Sequence, residues 1–264
     1  MRIKGFLIDL DGVLTKDENF SPINGAIEFI SYLKKENIPF VIATSNSRYP
    51  PEEIAKRMQK HGFEIDSSNI VSPLVVAPEV LKKENMKSLF ILGSDAVKKF
   101  FIEKSFDVLN DYQVDAVLVG LDKNLNFQKI KIATTALKKK KAKLYALNKN
   151  IISKDDDGLL FPGVGTVAKM FATACQCNED FKHFGKGGEE YNKVIFEKIG
   201  IEPENLAIIS DDIFVDLGGY QKLGLKTIFV TTGKYTVEDI PEDMKIDLVV
   251  NSLTELIGRI EFID

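Results

Sequence analysis

The sequence predicts a doubly wound α/β fold built on a parallel sheet. Two patterns predict it. Short apolar runs recur along the chain, continuous rather than alternating, which suits strands covered on both faces. Between them lie segments whose apolar residues return at helical spacing, and strand–helix alternation of this kind marks the α/β class. A third observation locates the chemistry: several runs end in acidic or hydroxyl side chains, at the strand ends where open parallel sheets bind ligands.

Taken in order, the first strand is expected at residues 6–10. Ser21 before Pro22 has the form of an N-cap with proline at the first helical position. Ile23, Ile27, Ile30 and Leu33 then mark one buried helical face. A strand is expected at 40–44, and Pro50-Pro51 opens a second helix with Ile54, Ala55 and Met58 inward and Gly62 just past its end. Runs at 89–92, 116–121 and 144–147 predict further strands. Segment 189–200 carries Tyr191, Val194, Ile195 and Ile199 at helical spacing, and runs at 206–209, 227–230 and 248–250 complete the strands.

Composition narrows the function. The chain has 264 residues, 44% of them hydrophobic and 28% charged, enough for one large domain or two modest ones. A net charge of −4 gives no general attraction to nucleic acid or anionic membranes, so neither is expected as a partner. Asp9 and Asp11 follow Phe6-Leu7-Ile8 at once, which is not the form of a leader peptide, and a cytoplasmic location is expected. Cys175 and Cys177 fit a reducing compartment, and with His61 and His183 as the only histidines a zinc site is not expected. The lysines at 138–141 suit a helix C-terminus. Asp155-Asp156-Asp157-Gly158 lacks the spacing of a calcium loop and fits a polar turn. Gly163-Val164-Gly165-Thr166-Val167-Ala168 matches a dinucleotide fingerprint only in letters; without the preceding first strand it fits a turn opening a helix.

The strand ends carry the chemistry. Asp9 and Asp11 are two apart on extended backbone, so both can face one site, and Gly12 permits a sharp exit. Adjacent carboxylates repel unless a cation or a proton intervenes. A hard cation such as Mg²⁺ accepts oxygen ligands, and a carboxylic acid near neutrality can donate a proton. Thr44-Ser45-Asn46-Ser47 leaves the second strand with side chains that suit phosphate oxygens, as they would any loop. Ser210-Asp211-Asp212, with Asp216 beyond, is either the other half of a cation site or a helix N-cap. Lys186, within Gly185-Lys186-Gly187-Gly188, can neutralise a bound phosphate, although the tetrapeptide is no P-loop. Together these groups supply nucleophile, metal ligands, proton donor and charge neutralisation for phosphoryl transfer.

This constellation resembles the haloacid dehalogenase-like hydrolase superfamily, over nearly the whole chain. Phe6-Leu7-Ile8-Asp9-Leu10-Asp11-Gly12-Val13-Leu14 fits its first motif, and Thr44-Ser45-Asn46-Ser47-Arg48 resembles the second. Phe161-Pro162-Gly163-Val164-Gly165 looks like the return from cap to core, Lys186 falls on the third-motif lysine, and Asp211, Asp212 and Asp216 resemble the fourth. More narrowly the chain is similar to the NagD-type subfamily IIA with its large C2 cap, the group of 4-nitrophenylphosphatase-like proteins. Thr232-Gly233-Lys234-Tyr235 also resembles the branch of phospholysine phosphohistidine inorganic pyrophosphate phosphatase-like proteins. Two positions depart from the pattern: Gly187 stands where proline is common, and Ser210 where glycine is common.

The resemblance implies a Rossmann-like core at 1–76 and 161–264 and an inserted α/β C2 cap at 77–160. It implies a Mg²⁺-dependent phosphatase acting on a small phosphorylated metabolite through an aspartyl-phosphate. Asp9 is the implied nucleophile and Asp11 the general acid and base. Mg²⁺ is implied at the Asp9 carboxylate, the Asp11 backbone carbonyl and Asp211, with Asp212 and Asp216 as supporting acids. Thr44 and Lys186 are implied to hold the phosphoryl group, with backbone N–H groups at Leu10, Ser45 and Asn46 completing the cradle. Family members often dimerise through the cap, so a homodimer is an expectation. The alternatives are a non-catalytic phosphate-binding or regulatory protein of the same fold, and a receiver-like phosphotransfer module.

Overall fold

The computed structural model describes residues 3–155, 157–177 and 181–259. Its strands are β1 (Gly5–Asp9), β2 (Phe40–Ala43), β3 (Ile70–Val71), β4 (Ser88–Leu92), β5 (Asp107–Val108), β6 (Ala116–Val119), β7 (Lys143–Ala146), β8 (Ile152–Lys154), β9 (Leu160–Pro162), β10 (Lys182–His183), β11 (Leu206–Ser210), β12 (Lys226–Val230) and β13 (Leu248–Val250). All eight strands expected from the apolar runs are present; most are buried on both faces and need no alternation, while β13, at the edge of its sheet, buries only Val250 fully. Among the described residues no helix is long and apolar enough to cross a membrane.

Contacts divide the chain into two compact units. The first comprises Met1–Thr44, Pro51–Val71 and Tyr191–Asp264, the second Ser45–Pro50 and Ser72–Glu190. The expected insertion at 77–160 is thus shorter than the observed second unit. The stretch after residue 160 belongs with that unit because the helix Val164–Cys175 packs on β7, and β10 pairs in parallel with β7.

The first unit holds a parallel six-stranded sheet, in the order β13-β12-β11-β1-β2-β3. Successive strands run one way from β1 and the other way from β11, so the order reverses between these two neighbours. The helix Ala26–Lys35 buries Ala26, Phe29, Ile30 and Leu33. It begins later than Ser21-Pro22 suggests. Asp17 Oδ1 accepts from the Asn19 and Ser21 amides at 3.0 Å each, and Thr15 pairs with Pro22. The chain is therefore tied into a loop until Gly25, which caps the helix at φ +83°. A Cβ there would collide with Thr254 of the helix Leu253–Ile257, so glycine also allows these two segments to meet.

The second unit holds a parallel five-stranded sheet, ordered β10-β7-β6-β4-β5, and the antiparallel hairpin β8–β9. Phe90, Val117, Val119, Leu137, Ala168 and Phe171 lie in its core. The lysine run ends a helix as expected: Ala136–Lys140 forms a π-type turn and Lys141 leaves it at φ +59°. Asp155 and Gly158 lie in the hairpin turn, while Asp156 is outside the described residues. Gly163 precedes the helix Val164–Cys175, and a Cβ at Gly165 would strike the Lys149 backbone. These glycines therefore serve close packing.

Candidate active site

Asp9 and Asp211 stand on the two strands where the sheet order reverses, β1 and the exit from β11. A crevice outside the strand ends forms at such a point, because neighbouring connections diverge to opposite faces. Asp9 is only 7% exposed. Its Oδ1 accepts the Leu10 amide at 2.7 Å, and its Oδ2 lies 3.3 Å from Ser210 Oγ. The Leu10 N–H, expected to face phosphate, here bonds the nucleophile candidate itself.

Asp11 is exposed, two residues past the end of the buried strand, and bridges to Thr15. Gly12 follows at φ +86°, a left-handed conformation that glycine adopts without strain. Its amide bonds Thr15 O at 2.8 Å, and its carbonyl accepts Thr232 Oγ1 at 2.7 Å.

Asp211 sits in a slot made by two glycines. A Cβ at Gly12 would lie 2.6 Å from Asp211 Oδ2, and one at Gly233 would overlap the same carboxylate. The Lys234 amide donates to Oδ2 at 2.8 Å. Asp212 caps the π-type turn Ile213–Leu217 through the Phe214 and Val215 amides and pairs with Lys234 Nζ at 2.7 Å. Burial works against the charge on Lys234, but the Asp212 hydrogen bond and the nearby Asp212 and Asp211 charges outweigh it and hold its pKa above the ordinary lysine value. Asp216 accepts Ser210 Oγ at 2.7 Å.

Thr44 is buried at the end of β2. Its amide bonds Val71 O at 3.0 Å. The Tyr191 hydroxyl lies 3.0 Å from Thr44 O and 2.8 Å from Val71 O, so one phenolic proton ties β2 to β3. Tyr191, Thr232 and Lys234 are supporting residues that the motifs did not assign. The signal for Tyr191 was its place on an apolar helical face, which says buried and nothing about its hydroxyl.

Ser45, Asn46 and Lys186 belong to the second unit. Ser45 O accepts Asn148 Nδ2 at 3.0 Å. Asn46 Oδ1 accepts the Arg48 and Tyr49 amides at 3.0 and 3.3 Å, closing a local turn. Lys186 is buried beside Gly185, where a Cβ would lie 2.7 Å from Asn148 Cβ. Gly187 takes φ +77°. Proline is locked near −65°, so the turn after Lys186 is one that proline cannot form.

The donor chemistry fits a hard divalent cation. Buried oxygen ligands from Asp9 and Asp211 suit such an ion, and the glycine slot keeps other side chains off the Asp211 carboxylate. Among the described residues no three His, Cys, Asp or Glu side chains group as a metal centre. The expected set needs only two carboxylates, its third oxygen being the Asp11 backbone carbonyl.

Comparison with known proteins bears on the family and the fold. A family model for haloacid dehalogenase-like hydrolases matches residues 6–107, and a second, described as HAD-hydrolase-like, matches residues 183–256. The chain belongs to the haloacid dehalogenase-like hydrolases. Phosphatases of this family generally use a divalent metal. The chain is 28% identical over 242 residues to the acid sugar phosphatase of Staphylococcus haemolyticus, covering 90% of this chain and 89% of that protein. It superposes on the 4-nitrophenylphosphatase of Thermotoga maritima with a TM-score of 0.86 and 27% identity, covering 98% of this chain and 97% of that one. NagD of Escherichia coli K-12 shares the fold at a TM-score of 0.82 and 21% identity, covering 97% and 98%.

Proposed function

We propose that the protein is a Mg²⁺-dependent phosphatase that hydrolyses small-molecule phosphomonoesters through an aspartyl-phosphate on Asp9. The observation that carries this reading is the pair of buried carboxylates, Asp9 at the end of β1 and Asp211 just past the end of β11, at the point where the sheet order reverses. The relatives named acid sugar phosphatase and 4-nitrophenylphosphatase support it and suggest sugar phosphates as the first substrates to try.

An Asp9 carboxylate oxygen attacks phosphorus in line, and the bond from phosphorus to the leaving oxygen breaks. Asp11, exposed and two residues further on, gives its proton to that oxygen. It then takes a proton from the water that attacks phosphorus, and the Asp9–phosphorus bond breaks to release inorganic phosphate. Mg²⁺, held by the Asp9 and Asp211 carboxylates and the Asp11 carbonyl, would neutralise phosphate charge. Thr44 and Lys186, with the Ser45 and Asn46 amides, are assigned to the phosphoryl oxygens by the family resemblance.

The test is phosphate release from 4-nitrophenyl phosphate and a panel of sugar phosphates, with and without Mg²⁺. Turnover that needs the metal and is lost in Asp9→Asn is expected. Persistent turnover in pure Asp9→Asn protein counts decisively against the mechanism. Thermal stabilisation by inorganic phosphate without any turnover favours a phosphate-binding protein instead.

A further inference from the structure

Ser210 ends β11 with no exposed surface. Its Oγ lies 2.7 Å from Asp216 Oδ2 and 3.3 Å from Asp9 Oδ2, and it accepts the Asp212 amide at 3.0 Å. A hydroxyl has one proton and two lone pairs. The Asp212 amide engages a lone pair, so the single proton is divided between Asp216 and Asp9. The shorter contact anchors the hydroxyl on Asp216, and that anchor fixes where Oγ meets Asp9.

Both oxygens of the Asp9 carboxylate therefore have a defined neighbour, the Leu10 amide at Oδ1 and the Ser210 hydroxyl at Oδ2. The terminal torsion of an aspartate is otherwise broad. We propose that Ser210 is a positioning residue for Asp9: its buried hydroxyl, anchored by Asp216 and the Asp212 amide, orients the carboxylate before substrate arrives. Glycine, the residue common at this place in the family pattern, has no hydroxyl to offer. The inference rests on the phosphatase reading, since it gives Ser210 an effect on the step that Asp9 performs. Orientation of a reacting group changes turnover more than substrate affinity.

The experiment measures kcat and KM on 4-nitrophenyl phosphate for the parent, Ser210→Ala and Ser210→Thr, with thermal unfolding of each. The alanine variant is expected to lose about tenfold in kcat with KM within about twofold, the size of one hydrogen bond to a charged group. Threonine, which restores the hydroxyl, is expected to recover kcat to within about threefold of the parent. An alanine variant with parental kcat overturns the inference. So does a folded threonine variant that turns over no better than alanine, and if alanine does not fold, a folded threonine variant outside that threefold range overturns it as well. A parent without turnover sinks the phosphatase reading and this inference together, whereas an active parent with an indifferent alanine variant sinks this inference alone.

Discussion

The two units contain the same kind of sheet and end it differently. In the first, β1 and β11 run straight into acids, Asp9 and then Asp211, while β2 leads into Thr44. In the second, β4, β6 and β7 run into Gly93, Gly120 and Leu147. A cavity of about 460 Å³ lies beside two of those ends, lined largely by apolar residues such as Leu92, Leu121, Phe161, Val164 and Val167. Acids of the second unit meet lysines, Glu84 with Lys182 and Lys143, Asp122 with Lys129, Asp155 with Lys123, as Asp212 meets Lys234 and Asp247 meets Lys226 in the first, but none of them ends a strand of the five-stranded sheet. The difference teaches that a parallel sheet sets where a site can lie, and the residue after the last buried one sets what it can do.

The sharpest way to break this contrast is Asp9→Asn. It should cost on the order of 10³-fold or more in kcat, because in the proposed mechanism Asp9 is the group that bonds to phosphorus. Next comes Gly233→Ala, whose methyl group would displace the Asp211 carboxylate. A loss on the order of 10- to 100-fold is expected, with a higher Mg²⁺ concentration for half-maximal rate; unchanged Mg²⁺ dependence would show that the slot is not needed.

Glu84→Gln tests the other side of the comparison. It should lower stability by about 1–2 kcal/mol at neutral pH and leave kcat alone. Burial would raise the Glu84 pKa, but hydrogen bonds from Lys182, Tyr145 and Lys143 outweigh it and hold it at about 2, against an ordinary value of 4.5. A depressed carboxylate stabilises the fold above its unfolded pKa and loses that contribution as pH falls through the folded one. The gap between parent and variant should therefore be full above about pH 5 and close towards pH 2 in denaturant titrations. The smallest effect is expected for Arg57→Ala, which removes a surface pair with Glu53 four residues earlier, about 0.3–0.5 kcal/mol by thermal unfolding and nothing in activity.

Strands covered on both faces were legible because Phe6-Leu7-Ile8 or Leu206-Ala207-Ile208-Ile209 admit few other readings. The candidate acids stood out for the same reason, since an aspartate directly after such a run has no apolar use. Short pieces were not. Ile70–Val71, Asp107–Val108 and Lys182–His183 pair as strands of two residues, where tertiary neighbours decide and periodicity has no length to show itself. The start of the first helix was missed because Asp17 captures Ser21 before it can cap. The hydrogen bonds of Ser210 and Tyr191 bring together residues remote in sequence, such as Ser210 with Asp9 and Tyr191 with Thr44, so spacing cannot reveal them.

The pairing of β1 with β11 also bears on how the molecule is made. Asp9 and Ser210 are 201 positions apart, so the ribosome works for roughly 10–40 s between them. The inserted unit is complete by residue 190 and can collapse during that interval, whereas the opening strand has only β2 and β3 beside it. The candidate site is thus completed late in synthesis, and a nascent chain stalled before residue 206 carries Asp9 without Asp211 or the strand that pairs beside it.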